Sequence, residues 1–304
     1  MAFPDESHFI PMFYRAYGDP TSSPEACQLA RILLSLWWVR KWGLSITPES
    51  FADCRSFQAV VSRLFGAYAQ KEQKERWGDK TPSYVLHIPT LLALFPSCQI
   101  IHIYRDGRDV ALSQFTHPSG QARNVFIAAM NWKRRVSVGR EIGATLPAHQ
   151  YTEVRYESLI ADPESTLRHL CDFLNEPFSP AVLRPNYLER KAVKRVFGPD
   201  HTLDVARETI VTSNQQKWKQ QMSVRDRAVF ESIAGTLLEE LGYETEGRRH
   251  NLSAMERYFW KAHQGFWFLV ARLNASNKRD WIPTHARMRW ATIRFRLRTL
   301  GVIS

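Results

Sequence analysis

Lys80 and Arg105 are the two cations whose surroundings suggest chemistry. Lys80 sits in the turn-forming run Gly78-Asp79-Lys80-Thr81-Pro82. Arg105 opens Arg105-Asp106-Gly107-Arg108-Asp109-Val110-Ala111-Leu112-Ser113, directly after the apolar run Ile100-Ile101-His102-Ile103-Tyr104. That run predicts a strand, and Asp106 is suited to cap a helix, with Asp109 three residues on. Arg105 then falls at the carboxyl end of a strand, where open α/β sheets bind ligands. A guanidinium fork and helix N-terminal amides both favour a phosphate there. Ser113, about two turns into the helix, can add a hydroxyl from the same side. Two plainer readings share this spelling: a surface turn whose Arg and Asp side chains pair with one another, and a solvated Lys80.

Other elements must carry these residues. The sequence predicts helices over 25–42, over 56–75 with Val60, Leu64, Ala67 and Tyr68 at helical spacing, and over 84–94. Further helices are predicted over 124–142, over 163–174 behind Asp162, and over 225–241 ahead of Gly242. Buried strands are predicted over 98–104 and 151–156. Strands alternating with helices argue for a parallel sheet covered on both faces, the α/β class.

The chain has 304 residues, 44% hydrophobic and 12% aromatic, which excludes disordered and collagen-like classes. Its net charge of +11 is uneven: residues 1–244 carry +2 and residues 245–304 carry +9. The basic balance therefore belongs mostly to the C-terminal segment. No apolar run reaches the roughly 18 residues that a bilayer-spanning helix needs, and the first residues do not read as a secretory signal. Cys27, Cys54, Cys98 and Cys171 form no C-x-x-C pair; reduced, mostly buried thiols in a cytoplasmic protein are expected.

Read together, the motifs are recognisable. They comprise Asp79-Lys80-Thr81-Pro82, Phe95-Pro96, the strand at 100–104, and Arg105 to Ser113. Val154-Arg155-Tyr156-Glu157-Ser158-Leu159, Asp162-Pro163-Glu164, Lys217-Trp218 and Leu241-Gly242-Tyr243 follow. Their order and spacing resemble the sulfotransferases that use 3′-phosphoadenosine 5′-phosphosulfate (PAPS), particularly the bacterial branch similar to tyrosylprotein sulfotransferases. The resemblance covers residues 5–243. It implies a P-loop-like α/β sulfotransferase fold, with a central parallel sheet flanked by helices. The implied reaction moves a sulfuryl group from PAPS to a hydroxyl acceptor (tyrosine, carbohydrate or small alcohol), without a metal. By this resemblance Arg105 and Ser113 hold the 3′-phosphate and Tyr156 borders the adenine. Lys80 reaches the phosphosulfate bridge and sulfuryl oxygens, and Lys217 adds a phosphate contact. Fixed cations suit the negative charge that builds on the leaving phosphate.

An acceptor hydroxyl also needs a base. Asp5-Glu6-Ser7-His8-Phe9-Ile10-Pro11 is similar to the segment carrying the catalytic Glu of the tyrosylprotein branch, which points to Glu6. His8 is the rival, since an imidazole suits the task. In cytosolic sulfotransferases the base is a His following a Lys-Thr pair, a place that Pro82 takes here. The bland alternative is that Glu6 and His8 cap a helix near the terminus.

One expected part is missing from the sequence. Such enzymes begin with a strand and a Gly-x-x-Arg-Ser-Gly-Thr-Thr loop around the 5′-phosphosulfate. Neither this loop nor a Gly-x-x-x-x-Gly-Lys-Ser/Thr loop occurs in the sequence. Phe3 to Pro11 already match the segment that follows it, so Met1 reads as an internal methionine, through a misplaced start or a truncated frame. The alternative to an active enzyme is thus an N-terminally truncated, weak or inactive remnant or binding protein of the same fold.

Domain boundaries are expected at 1–247 for the α/β domain and 248–304 for a basic helical extension. Ser253-Ala254-Met255-Glu256 is a capping box. Behind it, Met255, Phe259, Ala262, Phe266, Leu269 and Leu273 form one apolar helical stripe. Docking of this stripe onto the α/β domain is the default expectation, and peripheral contact with a membrane is the other. After Pro283 a second helix is expected with Arg287, Arg289, Arg294, Arg296 and Arg298 around it, the strict alternation from Ile293 to Arg298 leaving a strand as the alternative. Interleaved Trp and Arg could also stack on nucleic acid, but no known binding module is present and no nucleic-acid partner is expected.

Overall fold

The computed structural model describes residues 1–116, 122, 124–183, 215–247 and 250–275. The helix expected after Pro283 lies outside them. The chain divides into two compact units, one holding Met1–Cys98 and the other Gln99–Trp267.

The first unit is helical: α1 (Ile10–Tyr17), α2 (Ser23–Ser35), α3 (Trp37–Arg40), α4 (Phe57–Lys71) and α5 (Ile88–Leu94). Serine caps start two of these, Ser22 accepting the Glu25 amide and Ser56 the Ala59 amide. Phe9, Phe13, Phe57, Leu64 and Phe65 are buried in an aromatic core. The single helix expected over 25–42 is instead two, broken at Leu36, whose backbone is extended (φ −61°, ψ 127°). The break turns Trp38 inward, where its indole donates to the Ser7 carbonyl at 2.8 Å. Residues 82–87 form a 3-10 turn ahead of α5, so the helix expected at 84–94 is shorter than its hydrophobic pattern.

In the second unit, β1 (Ile100–Tyr104) leads to α6 (Gly107–Thr116), α7 (Val125–Gly143) and β2 (Tyr151–Arg155). The strands are parallel, in register from Ile100 opposite Tyr151 to Tyr104 opposite Arg155. Then come α8 (Tyr156–Ala161), α9 (Pro163–Leu174), α10 (Trp218–Gln221) and α11 (Val224–Glu240). The last is α12 (Ala254–Ala275), of which the residues up to Trp267 belong to this unit. α7 and α11 pack together, burying Phe126, Trp132, Val229 and Phe230. The chain thus has the expected mixed α/β class.

Two expectations are corrected. β1 is not a fully buried strand, because only His102 is buried while Ile103 is 54% exposed. Among the described residues β1 pairs with β2 alone. Among the described residues the apolar stripe of α12 does not dock either. Met255, Phe259, Phe266 and Leu269 are exposed, and the helix is held from another side by Trp260, whose carbonyl accepts from Asn124 Nδ2 at 3.1 Å.

Candidate active site

Glu6, His8 and Lys80 meet in the first unit. Ala2 pairs with Trp77 in a parallel bridge, which lays the N-terminal segment along the 77–81 run. At Gly78 the two segments pass closely, a Cβ there lying 2.3 Å from the ring of the exposed Phe3. Ser7 then pins the segment. Its amide donates to Thr81 Oγ1 at 3.2 Å, and its hydroxyl donates to Asp79. The Ser7 hydroxyl therefore accepts from Tyr84 at 2.7 Å, while the Tyr84 oxygen accepts the Ile10 amide at 2.9 Å. With Ser7 fully buried, its neighbours Glu6 and His8 face outward in the alternation of an extended chain. His8 adopts φ +56°, a left-handed turn that brings the buried Phe9 and Ile10 into α1. α1 begins without a side-chain cap, which removes the alternative that Glu6 and His8 cap it.

The Glu6 carboxylate takes two partners. One oxygen pairs with Lys80 Nζ, and the other lies 3.0 Å from His8 Nε2. Burial pushes the Glu6 pKa up, but the hydrogen bonds from His8 and Lys80 outweigh it and hold it below the usual 4.5. Lys80 is otherwise open to solvent, its side chain 71% exposed. Asp79 shows the opposite balance: burial raises its pKa despite hydrogen bonds from Ser7 and Thr81. The cluster therefore presents an ionised carboxylate, an imidazole and an ammonium on one anchored segment pair.

Arg105, Ser113, Tyr156 and Lys217 belong to the second unit. Arg105 follows β1, and its carbonyl accepts the Trp132 indole at 3.0 Å. Its guanidinium lies 4.9 Å from the centroid of the Tyr156 ring, at the start of α8. Asp109 on α6 accepts from Arg105 Nη2 at 3.2 Å with one oxygen, and from the Trp218 amide at 3.0 Å with the other. Through Asp109, the backbone beside Lys217 is tied to Arg105. Ser113 is exposed one helical turn beyond Asp109, on the same face of α6.

A second ionic network lies beneath. Arg108 is fully buried and donates to Asp106 at 2.8 Å, to Glu231 at 2.9 Å and to the Glu244 carbonyl at 2.7 Å. Its guanidinium lies 3.5 Å from the Trp218 ring centroid. Asp106 also accepts the Arg108 amide at 2.9 Å, so it caps α6 as expected. The Arg and Asp side chains do pair with one another, as the surface-turn reading had it, but in the interior. A polar cleft of 180 Å³ lies beside this network, lined in part by Arg108, Trp218 and Tyr243. Neither Arg105 nor Ser113 lines it.

The profile described as "Sulfotransferase family" matches residues 2–180, which include both groups of residues except Lys217. The chain belongs to the sulfotransferase family. A Caenorhabditis elegans protein named "Putative protein-tyrosine sulfotransferase" is 29% identical over 156 residues, covering 48% of this chain and 56% of the relative. A Caenorhabditis briggsae protein of the same name is 26% identical, covering 71% and 75%. The "Omega-hydroxy-beta-dihydromenaquinone-9 sulfotransferase Stf3" of Mycobacterium tuberculosis is 27% identical, covering 54% and 40%. The match thus spans little more than half of the C. elegans relative and less than half of the mycobacterial one.

The sulfotransferase fold is shared with two solved domains. The sulfotransferase domain of the Synechococcus PCC 7002 olefin synthase superposes with a TM-score of 0.54 at 22% identity, over 79% of this chain and 85% of that one. The domain of the curacin biosynthetic pathway gives 0.51 at 23%, over 80% and 88%.

Sequence reasoning missed the tertiary roles of three residues that hold these two groups in place, Ser7 in the first unit and Asp109 and Arg108 in the second. Their partners Tyr84, Trp218 and Glu231 lie 77, 109 and 123 positions away along the chain. Gly107 is a fourth, and a local cue existed: a glycine in the first turn of a helix asks what approaches it. A Cβ there would lie 2.4 Å from the Trp132 ring.

Proposed function

We propose that this chain transfers a sulfuryl group from PAPS to a hydroxyl acceptor. The observation that supports it best is the setting of Arg105 at the end of β1, with its guanidinium against Tyr156 and braced by Asp109. A guanidinium, an exposed hydroxyl on the adjoining helix, a lysine and an aromatic ring are a donor set suited to a nucleoside phosphate. Arg105 and Ser113 bind the 3′-phosphate, Tyr156 borders the adenine, and Lys217 adds positive charge. When bound, PAPS supplies the activated sulfuryl group. Lys80 offsets the negative charge that develops on the phosphosulfate. Glu6 takes the acceptor proton; its paired setting keeps it ionised and ready to accept. His8, in contact with the same carboxylate, orients Glu6.

The second reading is a protein of the same fold that binds nucleotide without transferring the sulfuryl group. Incubation with labelled PAPS and a panel of tyrosine peptides, carbohydrates and small alcohols separates the two. Label on any acceptor that vanishes in Lys80→Ala supports transfer. No label on any acceptor overturns it in favour of the binding protein.

A further inference from the structure

The ladder of β1 and β2 ends with Tyr104 opposite Arg155. Arg105 and Tyr156 are the next residues along the two strands, and Asp106 and Glu157 the next again. Backbone pairing stops here, because Tyr156 starts α8. A side chain takes over: Glu157 Oε1 accepts the Asp106 amide at 3.0 Å. That amide belongs to the same peptide as the Arg105 carbonyl, which accepts the Trp132 indole at 3.0 Å. The oxygen and the hydrogen of a trans peptide point to opposite sides. The link behind Arg105 is therefore held from α7 on one side and from α8 on the other.

Glu157 is itself held. Its second oxygen accepts the Tyr243 hydroxyl at 2.9 Å and lies 3.5 Å from Arg155 Nε. Burial and the Glu157 carboxylate beside it raise the Tyr243 pKa above the ordinary 10, so the phenol keeps its proton and donates. Tyr243 is buried, and the Arg155 guanidinium lies 4.2 Å from its ring centroid. It reaches this place because α11 closes on Gly242 in the left-handed region (φ +72°), and the Tyr243 amide returns to the Leu238 carbonyl at 2.9 Å. Two motifs far apart along the chain, at 154–159 and 241–243, thus meet at one carboxylate. Neither Glu157 nor Tyr243 has a part in the transfer reaction proposed above.

We propose that Glu157 is a positioning residue for the nucleotide, holding Arg105 in its place beside the Tyr156 ring, with Tyr243 orienting the carboxylate. This role rests on Arg105 binding the 3′-phosphate. Glu157 touches no ligand; it acts on the peptide that carries Arg105. Its removal leaves the amide of the buried Asp106 without an acceptor and unties the end of β1 from the start of α8.

Calorimetry of the full chain with two ligands tests this. Adenosine 3′,5′-bisphosphate carries the phosphate that Arg105 holds, and adenosine 5′-monophosphate lacks it. Glu157→Ala should weaken binding of the bisphosphate about tenfold and of the monophosphate by less than about twofold. Tyr243→Phe keeps the ring beside Arg155 and removes only the hydroxyl. It should weaken the bisphosphate by about threefold to fivefold with the same selectivity, and it carries the test if Glu157→Ala does not fold. Equal weakening of the two ligands overturns the positioning role, as does undiminished bisphosphate binding in the variants that fold. A selective loss in Glu157→Ala alone overturns the part given to Tyr243. A wild type that binds neither ligand, or binds both alike, overturns the nucleotide reading of Arg105 and this role with it.

Discussion

Asp109 holds Arg105 at 3.2 Å while its other oxygen accepts the Trp218 amide at 3.0 Å. One buried carboxylate thus fixes both the guanidinium at the end of β1 and the start of α10, next to Lys217. Asp109→Asn keeps the shape and removes the charge. Charge-assisted hydrogen bonds contribute about 1.5–3 kcal/mol each. The variant should therefore bind adenosine 3′,5′-bisphosphate roughly tenfold more weakly, measured by calorimetry. It should remain folded by circular dichroism. Unchanged affinity would show that Asp109 does not position Arg105.

Gly107 and Gly66 form a matched pair of helical glycines. A Cβ at Gly107 meets the Trp132 and Phe230 rings at 2.4 and 2.6 Å, whereas one at Gly66 in α4 meets nothing within 4 Å. Gly107→Ala should destabilise by about 1–3 kcal/mol through overpacking, and should loosen the Trp132 bond to the Arg105 carbonyl. Gly66→Ala should stabilise by about 0.5–1 kcal/mol through helix propensity. Urea unfolding of both variants gives the comparison, and equal effects would contradict the packing around Gly107.

Arg108 lies between two buried carboxylates, Asp106 and Glu231. Arg108→Met fills the volume and leaves both acids uncompensated, a loss of about 3–5 kcal/mol. Lysine should not restore it, because one ammonium cannot reproduce the fork that engages Asp106, Glu231 and the Glu244 carbonyl together. Denaturant melts of both variants decide this.

Glu6 sets a pH dependence whose sign follows from its lowered pKa. Its folded value lies below the unfolded 4.5, so its stabilising contribution is complete above 4.5 and is lost as pH falls through the folded value. A base with that pKa is ionised throughout the neutral range. With Glu6 as base, transfer should show no acidic limb above about pH 5, and Glu6→Gln should abolish transfer at every pH. Transfer that survives in Glu6→Gln and is lost in His8→Ala would assign the base to His8.

The sequence showed elements wherever the signal was local. Asp162 caps α9 over the predicted 163–174, Asn124 caps α7, and Ser253 and Glu256 cap each other's amides at the start of α12. Such cues lie within four residues of the bonds they make. The misses are tertiary. The break at Leu36 serves the bond from Trp38 to Ser7, 31 residues away along the chain. The burial of Arg108 depends on Glu231. The exposure of Ile103 is a tertiary property, which no alternation pattern records. Among the site residues, Arg105 was legible because a strand end followed by a helix start has few chemical uses. The Glu6–Lys80 pair came from the family resemblance, and its geometry depends on Ser7 reaching Asp79 and Tyr84.

Calorimetric titration of the intact chain with adenosine 3′,5′-bisphosphate tests the nucleotide site most directly. Saturable one-to-one binding is expected in the wild type. In Arg105→Ala it should weaken by about tenfold to a hundredfold or more, the loss of a charged phosphate contact. Absence of binding in the intact chain, or binding that Arg105→Ala leaves untouched, would contradict the assignment of this site.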